Sequence, residues 1–168
     1  NTSQDEIAVC NLGSVNLTHH IKDGNMDEKK LEKTINTAIR MLDNVIDINY
    51  YAVKAAETSN MRHRPIGLGI MGFHDALYML KTPYASQEAV DFADQSMEMV
   101  SYYAIQASSN LAAERGAYQS YEGSLWSQGI LPIDSIKLLK ESRGEDYLDM
   151  DESMTMDWDS LRATVKKQ

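Results

Sequence analysis

Between residues 27 and 47 apolar side chains recur at the three- and four-residue spacing that gathers them on one face of an α-helix: Leu31, Ile35, Ala38, Ile39, Leu42, Val45 and Ile46. Asp27 and Glu28 suit the positive amino-terminal end of such a helix. A longer run opens at Ser86, a good N-cap residue. It carries Ala89, Val90, Ala93, Met97, Val100, Ala104, Ala107 and Leu111 on one face, and Glu88, Asp91, Gln95 and Glu98 on the other. Arg115 suits the negative end of this helix, and Gly116 stands where a C′ glycine stops one. Shorter helical pieces are predicted over 51–58 and 72–80, short elements over 123–128 and 133–140, and a last helix over 157–167.

Two segments follow the other periodicity. Residues 6–12 predict a strand, with Ile7, Val9 and Asn11 facing one way and Ala8, Cys10 and Leu12 the other. Gly13-Ser14 and the polar stretch 16–24 predict a turn and a loop. After Pro65, the run 66–70 predicts a short buried strand, and 81–84 predicts a turn. No internal repeat or low-complexity tract interrupts the pattern. Helix dominates, and two strands this far apart make no stable sheet alone. They are expected to belong to a sheet whose other strands lie outside the chain.

At 168 residues the chain has the size of one domain, and 43% hydrophobic residues suffice for a core. No apolar run of about 18 residues predicts a membrane span. The first residues lack the basic and apolar regions of a secretory signal. The absence of a starting Met suggests a beginning inside something longer. With 25 acidic and 16 basic residues the net charge is -9, which argues against a broad nucleic-acid surface. Eight acids against Arg143 alone fall between 141 and 159, and read as a solvated acidic loop. A single cysteine, Cys10, excludes a disulfide scaffold and fits a reducing compartment. By itself such a residue is most often a small buried hydrophobe.

Residues 67–72 fit G-x-G-x-x-G between a strand and a helix. The dinucleotide fold also needs an acid at the end of a second strand about 20 residues on. Glu88, Asp91 and Asp94 stand at that distance but inside the long helix, so the glycines are read as permitting close backbone packing. Arg62-His63-Arg64 is a basic cluster that suits a phosphate or an acidic partner, or is simply a charged loop. His19, His20, His63 and His74 show no metal-ligand spacing, and Asp43 and Asp47 read as solvated charge on one helical face. No nucleophile elbow singles out a Ser-His-Asp arrangement. Tyr50-Tyr51 and Tyr102-Tyr103 read as helix packing before radical relays.

The block Glu6-Ile-Ala-Val-Cys-Asn-Leu-Gly-Ser-Val-Asn-Leu17 resembles the segment of ribonucleotide reductase large subunits that carries one of two cysteines oxidised during substrate reduction. Arg62-His-Arg-Pro-Ile-Gly-Leu-Gly-Ile-Met-Gly-Phe73 resembles a later barrel strand and its helix. Ser109-Asn-Leu-Ala-Ala-Glu-Arg-Gly-Ala-Tyr118 resembles the end of a long helix in that family, and residues 121–134 continue in family order. The likeness covers nearly the whole chain, and the first block is its most specific part.

The resemblance implies an α/β parent protein, a ten-stranded α/β barrel, of which residues 1–168 form a single partial domain, mainly α-helical with two short strands. It implies thiyl-radical chemistry in which a cysteine pair, Cys10 being one member, reduces the ribose and ends as a disulfide. The other member, the radical cysteine with its Asn and Glu companions, the phosphate-binding loop and the shuttle cysteines are expected outside residues 1–168. The segment alone is therefore expected to be inactive, with no cofactor or metal of its own. The parent is expected to be cytoplasmic and to reduce ribonucleoside diphosphates under nucleotide effectors. It would work with a radical-generating small subunit and a thioredoxin- or glutaredoxin-type reductant. An adenosylcobalamin-dependent relative, or a helical interaction module completing a split enzyme, are the alternatives.

Overall fold

A computed structural model describes residues 3–144, 148 and 150–168. Two strands, β1 (Asn11–Asn16) and β4 (Ile66–Met71), run parallel in the register Asn11↔Ile66 to Asn16↔Met71. A parallel pair needs a long crossover. Here it contains the small hairpin β2 (Ile21–Lys22) and β3 (Asn25–Met26), then α1 (Glu28–Ile48) and α2 (Lys54–His63). Beyond β4 come α3 (Phe73–Leu80), α4 (Gln87–Arg115), α5 (Leu125–Gln128), α6 (Ser135–Arg143) and α7 (Trp158–Lys167).

The first strand differs from its expected position. Residues 6–10 approach without ladder pairing, and pairing begins at Asn11 and runs through Gly13-Ser14, where the composition predicted a turn. The reason is tertiary: pairing of this stretch with β4 overrides the local turn preference, and Gly13 faces α1, where a Cβ would meet both Leu42 methyl groups at an ordinary 3.6 Å. The two strands also pair with one another, although each had been expected to find its partners elsewhere. The hairpin was missed as well. Asp23 (φ 51°) and Gly24 (φ 76°) make its two-residue turn, as Asp-Gly pairs commonly do.

One face of the pair is covered. Val15 of β1 packs with Leu31, Ile35 and Ile39 of α1 and Val100, Tyr103, Ala107 and Leu111 of α4, while Ile66, Leu68 and Ile70 border the same core. The α1 stripe is as expected, with Leu31, Ile35, Ile39, Leu42 and Ile46 buried behind an Asp27 cap. On α4 the buried stripe is rotated: Ser96 and Tyr103 are inside, whereas Val90 and Met97 are 58% and 41% exposed. The rotation arises because α4 packs against α1 on one side and α7 on another. A second cluster, Leu131, Trp158, Leu161 and Val165, joins the first through Tyr102, whose ring meets Trp158 edge-on at 5.5 Å.

Of the acidic stretch, Glu145, Asp146 and Asp149 lie outside the described residues. The described part is bonded, not simply solvated: Glu152 pairs with Lys140, Asp151 accepts from Ser153, and Asp157 caps α7.

Glu98, expected on the outer face of α4, docks this segment. It accepts hydrogen bonds from the Thr155 amide (2.9 Å) and hydroxyl, the Met156 amide (3.1 Å) and Trp158 Nε1 (2.9 Å). Burial pushes its carboxyl upward, but the bonds from Thr155, Trp158 and Met156 outweigh that and hold it below the usual carboxylate range.

Two outcomes follow from this packing. Because the folded Glu98 titrates below the unfolded value of 4.5, its contribution is complete above that pH and is lost as pH falls through the folded value. Trp158 fluorescence should therefore report undocking in acid, and Glu98→Ala should destabilise by about 1–3 kcal/mol at neutral pH and flatten this acid dependence. At Gly72 φ is 72°, and a Cβ would stand 2.6 Å from Asn16 Oδ1. Gly72→Ala should cost about 1–3 kcal/mol by denaturant melting, against less than about 1 kcal/mol for Gly69→Ala, whose Cβ meets only ordinary contacts.

Candidate functional site

Side chains alternate across a strand, so the face of β1 and β4 opposite the helices is formed by Leu12, Ser14, Gly67, Gly69 and Met71. Leu12 is 76% exposed and Met71 51%. Cys10 stands one residue before β1 and is exposed. Its thiol lies 3.8 Å from the Asn11 carbonyl and 4.0 Å from the Pro65 carbonyl, both within reach of weak S–H donation. A Cβ on Gly67 would stand 3.6 Å from Cys10 Sγ and 2.5 Å from a Leu12 methyl group. Glycine at 67 keeps the sulfur approachable from the neighbouring strand. This setting is the opposite of the buried apolar pocket that is the default for a lone cysteine.

The packing role expected of Gly69 is not found. Its Cβ would lie 3.6 Å from Ser14 Oγ on the uncovered face, an ordinary contact, so nothing there overpacks. The close approaches are at Gly67 and Gly72 instead. Glu88, Asp91 and Asp94 lie within α4, so no strand-end acid completes a dinucleotide motif.

The basic cluster at the end of α2 has its acidic partners within the chain. The buried carboxylate of Glu6 accepts from Arg62 at 3.2 Å and from His63 Nε2 at 3.1 Å. An ionised carboxylate only accepts, so Nε2 carries a proton. Ser120 Oγ lies 2.7 Å from Nδ1, within hydrogen-bonding distance. The Glu6 carboxyl is held below its usual range, first by the His63 hydrogen bond, against burial, and then by the charges of His63 and Arg62. Sequence spacing gave no signal for this Glu-His-Ser series, whose members stand 57 residues apart at each link.

Arg64 has φ 46° and ψ 53°, a left-handed conformation that side chains disfavour and that the following Pro65 disfavours further. Its guanidinium donates to Asp43 Oδ1 (2.7 Å), the Asp43 carbonyl (3.0 Å) and both Asp47 carboxylate oxygens (2.8 and 3.0 Å). Arg115 donates to the other Asp43 oxygen. Asp43 and Asp47 are therefore anchors, not solvated charge. The Arg64 hydrogen bond, against burial, holds Asp47 below its usual range, and the same contacts hold Arg64 well above its own.

The remaining candidates are structural. His20 is buried between the Asn16 carbonyl and Thr34 Oγ1, each 2.9 Å away, and His74 stacks on Tyr78. Tyr103 donates to Glu28, while Tyr51 donates to the Ile46 carbonyl at 2.8 Å. Tyr50 is 87% exposed beyond α1 and packs in no helix, contrary to expectation. Among the described residues no group of three His, Cys, Asp or Glu is placed to hold a metal, and no helix is long and apolar enough to cross a membrane.

A parallel β-crossover-β unit, with helices on one face and a reachable thiol at the edge of the other, is the architecture of a piece of an α/β domain. The chain belongs to the ribonucleotide reductase barrel-domain family, whose model matches residues 1–168. It is 60% identical over 167 residues to the ribonucleoside-diphosphate reductase subunit alpha of Chlamydia muridarum, covering 99% of this chain and 16% of that protein. It is 47% identical over 133 residues to the ribonucleoside-diphosphate reductase large chain of Schizosaccharomyces pombe, covering 79% of this chain and 16% of that one. The chain thus spans about one-sixth of the length of these relatives.

The strained Arg64 predicts its own substitution pattern. Arg64→Ala removes the ion pairs and keeps the left-handed strain, and should cost about 2–4 kcal/mol. Arg64→Gly loses the same contacts but relieves the strain, and should melt measurably higher than the alanine variant.

Proposed function

We propose that this chain is a segment of the catalytic barrel of a ribonucleoside-diphosphate reductase large subunit, and that Cys10 is one of the two thiols that reduce the ribose. The segment is read as a single partial domain of a ten-stranded α/β barrel whose remaining strands belong to the rest of the subunit. The observation that carries the reading is the exposed Cys10 sulfur on a glycine-lined, helix-free strand edge, inside a block that matches the family.

The net reaction replaces the ribose 2′ C–O bond by a C–H bond. Two thiols supply two hydrogens and two electrons; the oxygen leaves as water and the sulfurs join as a disulfide. A thiyl radical on a third cysteine, supplied elsewhere in the subunit, borrows and returns the 3′ hydrogen. What this chain contributes is one reducing thiol. Disulfide closure needs the partner Cα within about 7 Å, most often at about 5.5–6 Å, so both nucleotide and partner must reach Sγ from the uncovered face. Gly67 leaves that approach open, and the Pro65 and Asn11 carbonyls orient the S–H.

A thioredoxin- or glutaredoxin-type protein would then reduce the disulfide in the cytoplasm. A radical-generating small subunit and nucleotide effectors would act through the rest of the subunit. Its relatives are the subunit alpha and large chain of ribonucleoside-diphosphate reductases, which favours this form over the adenosylcobalamin-dependent one.

In the full-length subunit, Cys10→Ser should leave nucleotide binding and the melting temperature nearly unchanged, while multiple-turnover reduction with a dithiol reductant falls to background. Normal steady-state turnover by that variant would remove Cys10 from the chemistry. The isolated segment, supplied with a radical source and dithiol, should form no deoxyribonucleotide.

A further inference from the structure

Cys10 lies where two chain segments are fastened together just outside the sheet. On one side, residues 6–10 carry no ladder bonds, and they are tied to α2 through the Glu6 side chain and through the Ile7 amide, which donates to the Ala55 carbonyl at 3.2 Å. On the other side, His63 is the last residue of α2, followed by Arg64 and by Pro65, whose carbonyl faces the Cys10 thiol. The His63 ring therefore sits between the approach to β1 and the approach to β4. Its second nitrogen reaches Ser120, in the turn after α4, so three segments remote in sequence meet on one imidazole.

The burial pattern shows that the arrangement is built. The Glu6 side chain is 4% exposed and the His63 side chain 12%, although Ile7, the next residue, is 50% exposed. A carboxylate withdrawn from water beneath an exposed hydrophobic residue reverses the usual preference and needs its partners. Both of its oxygens are engaged, one by Arg62 and one by His63.

We propose that Glu6, His63 and Ser120 are positioning residues for Cys10: their hydrogen-bonded series fixes where the thiol stands relative to the Pro65 carbonyl and Gly67, without touching substrate. Only three residues separate Glu6 from Cys10, too short a span to absorb a loosened anchor before the sulfur moves. This inference rests on the redox role assigned to Cys10, and the test separates the two.

The test uses the full-length large subunit with Glu6→Ala, His63→Ala, His63→Gln and Ser120→Ala. Two quantities are read: the rate of iodoacetamide labelling of Cys10, followed on its proteolytic peptide, and kcat and KM for ribonucleoside diphosphate. Glu6→Ala and His63→Ala should raise the labelling rate roughly fivefold as the segment loosens. They should lower kcat about 10- to 100-fold with KM little changed, because the thiol is misplaced and the nucleotide site is not. The amide of His63→Gln can still donate to Glu6 and should restore most of both, while Ser120→Ala should have the smallest effect. Labelling at the parental rate in Glu6→Ala and His63→Ala would overturn the positioning role. Faster labelling with unchanged kcat would leave the positioning intact and remove Cys10 from the reaction. If the alanine variants do not fold, His63→Phe, which keeps a ring in the buried site but can bond neither Glu6 nor Ser120, carries the same comparison. Parental labelling in that variant would overturn the proposal equally.

Discussion

The guanidinium of Arg64 holds a backbone turn that the chain would not adopt unaided. A left-handed residue immediately before a proline carries a conformational cost of about 1–3 kcal/mol. Two aspartates of α1 offset it, with Asp43 shared between Arg64 and Arg115. Because this turn joins α2 to β4, it sets where β4 begins, and hence that Ile66 faces Asn11 and Gly67 faces Leu12. The turn also aims the Pro65 carbonyl at the Cys10 sulfur. An ion cluster at the rim of α1 thus governs both strand register and the surroundings of a thiol.

The covered and uncovered faces of the strand pair divide the work. On the helix side, Val15, Ile66, Leu68 and Ile70 bind the sheet to α1 and α4, and the geometry is rigid because that core is closely packed. On the other side, glycines at 67 and 69 oppose Leu12 and Ser14, and little projects except Leu12 and Met71. A rigid support with a flattened, reachable edge suits a reactive group that must meet partners from outside the segment. Family membership explains why an uncovered strand face occurs in a chain spanning about one-sixth of its relatives.

Much of the helical scaffold was legible from local rules. Asp27, Ser86 and Asp157 cap the helices they were expected to open, and the Leu31–Ile46 stripe is the buried one, because caps and 3.6-residue periodicity act within a few residues. The block around Cys10 was also legible, and it carried the family assignment that the comparisons bear out. The burial of α4 was misread in part: whether Val90 or Tyr103 faces inward depends on where α1 and α7 lie against the helix, which no local pattern contains.

Residue types and short spacings by themselves determined most of the helices, their caps, the lone thiol and its family context, although the helix expected over 51–58 runs instead from Lys54 to His63. Tertiary structure alone decided that β1 starts at Asn11 and pairs with β4, that Asp43 and Asp47 hold Arg64, and that Glu6, His63 and Ser120 meet. The physical reason is range. Capping and amphipathicity are settled within one or two helical turns, whereas a strand finds its ladder, and a charge its counter-charge, only after the chain has folded back across 20 to 60 residues.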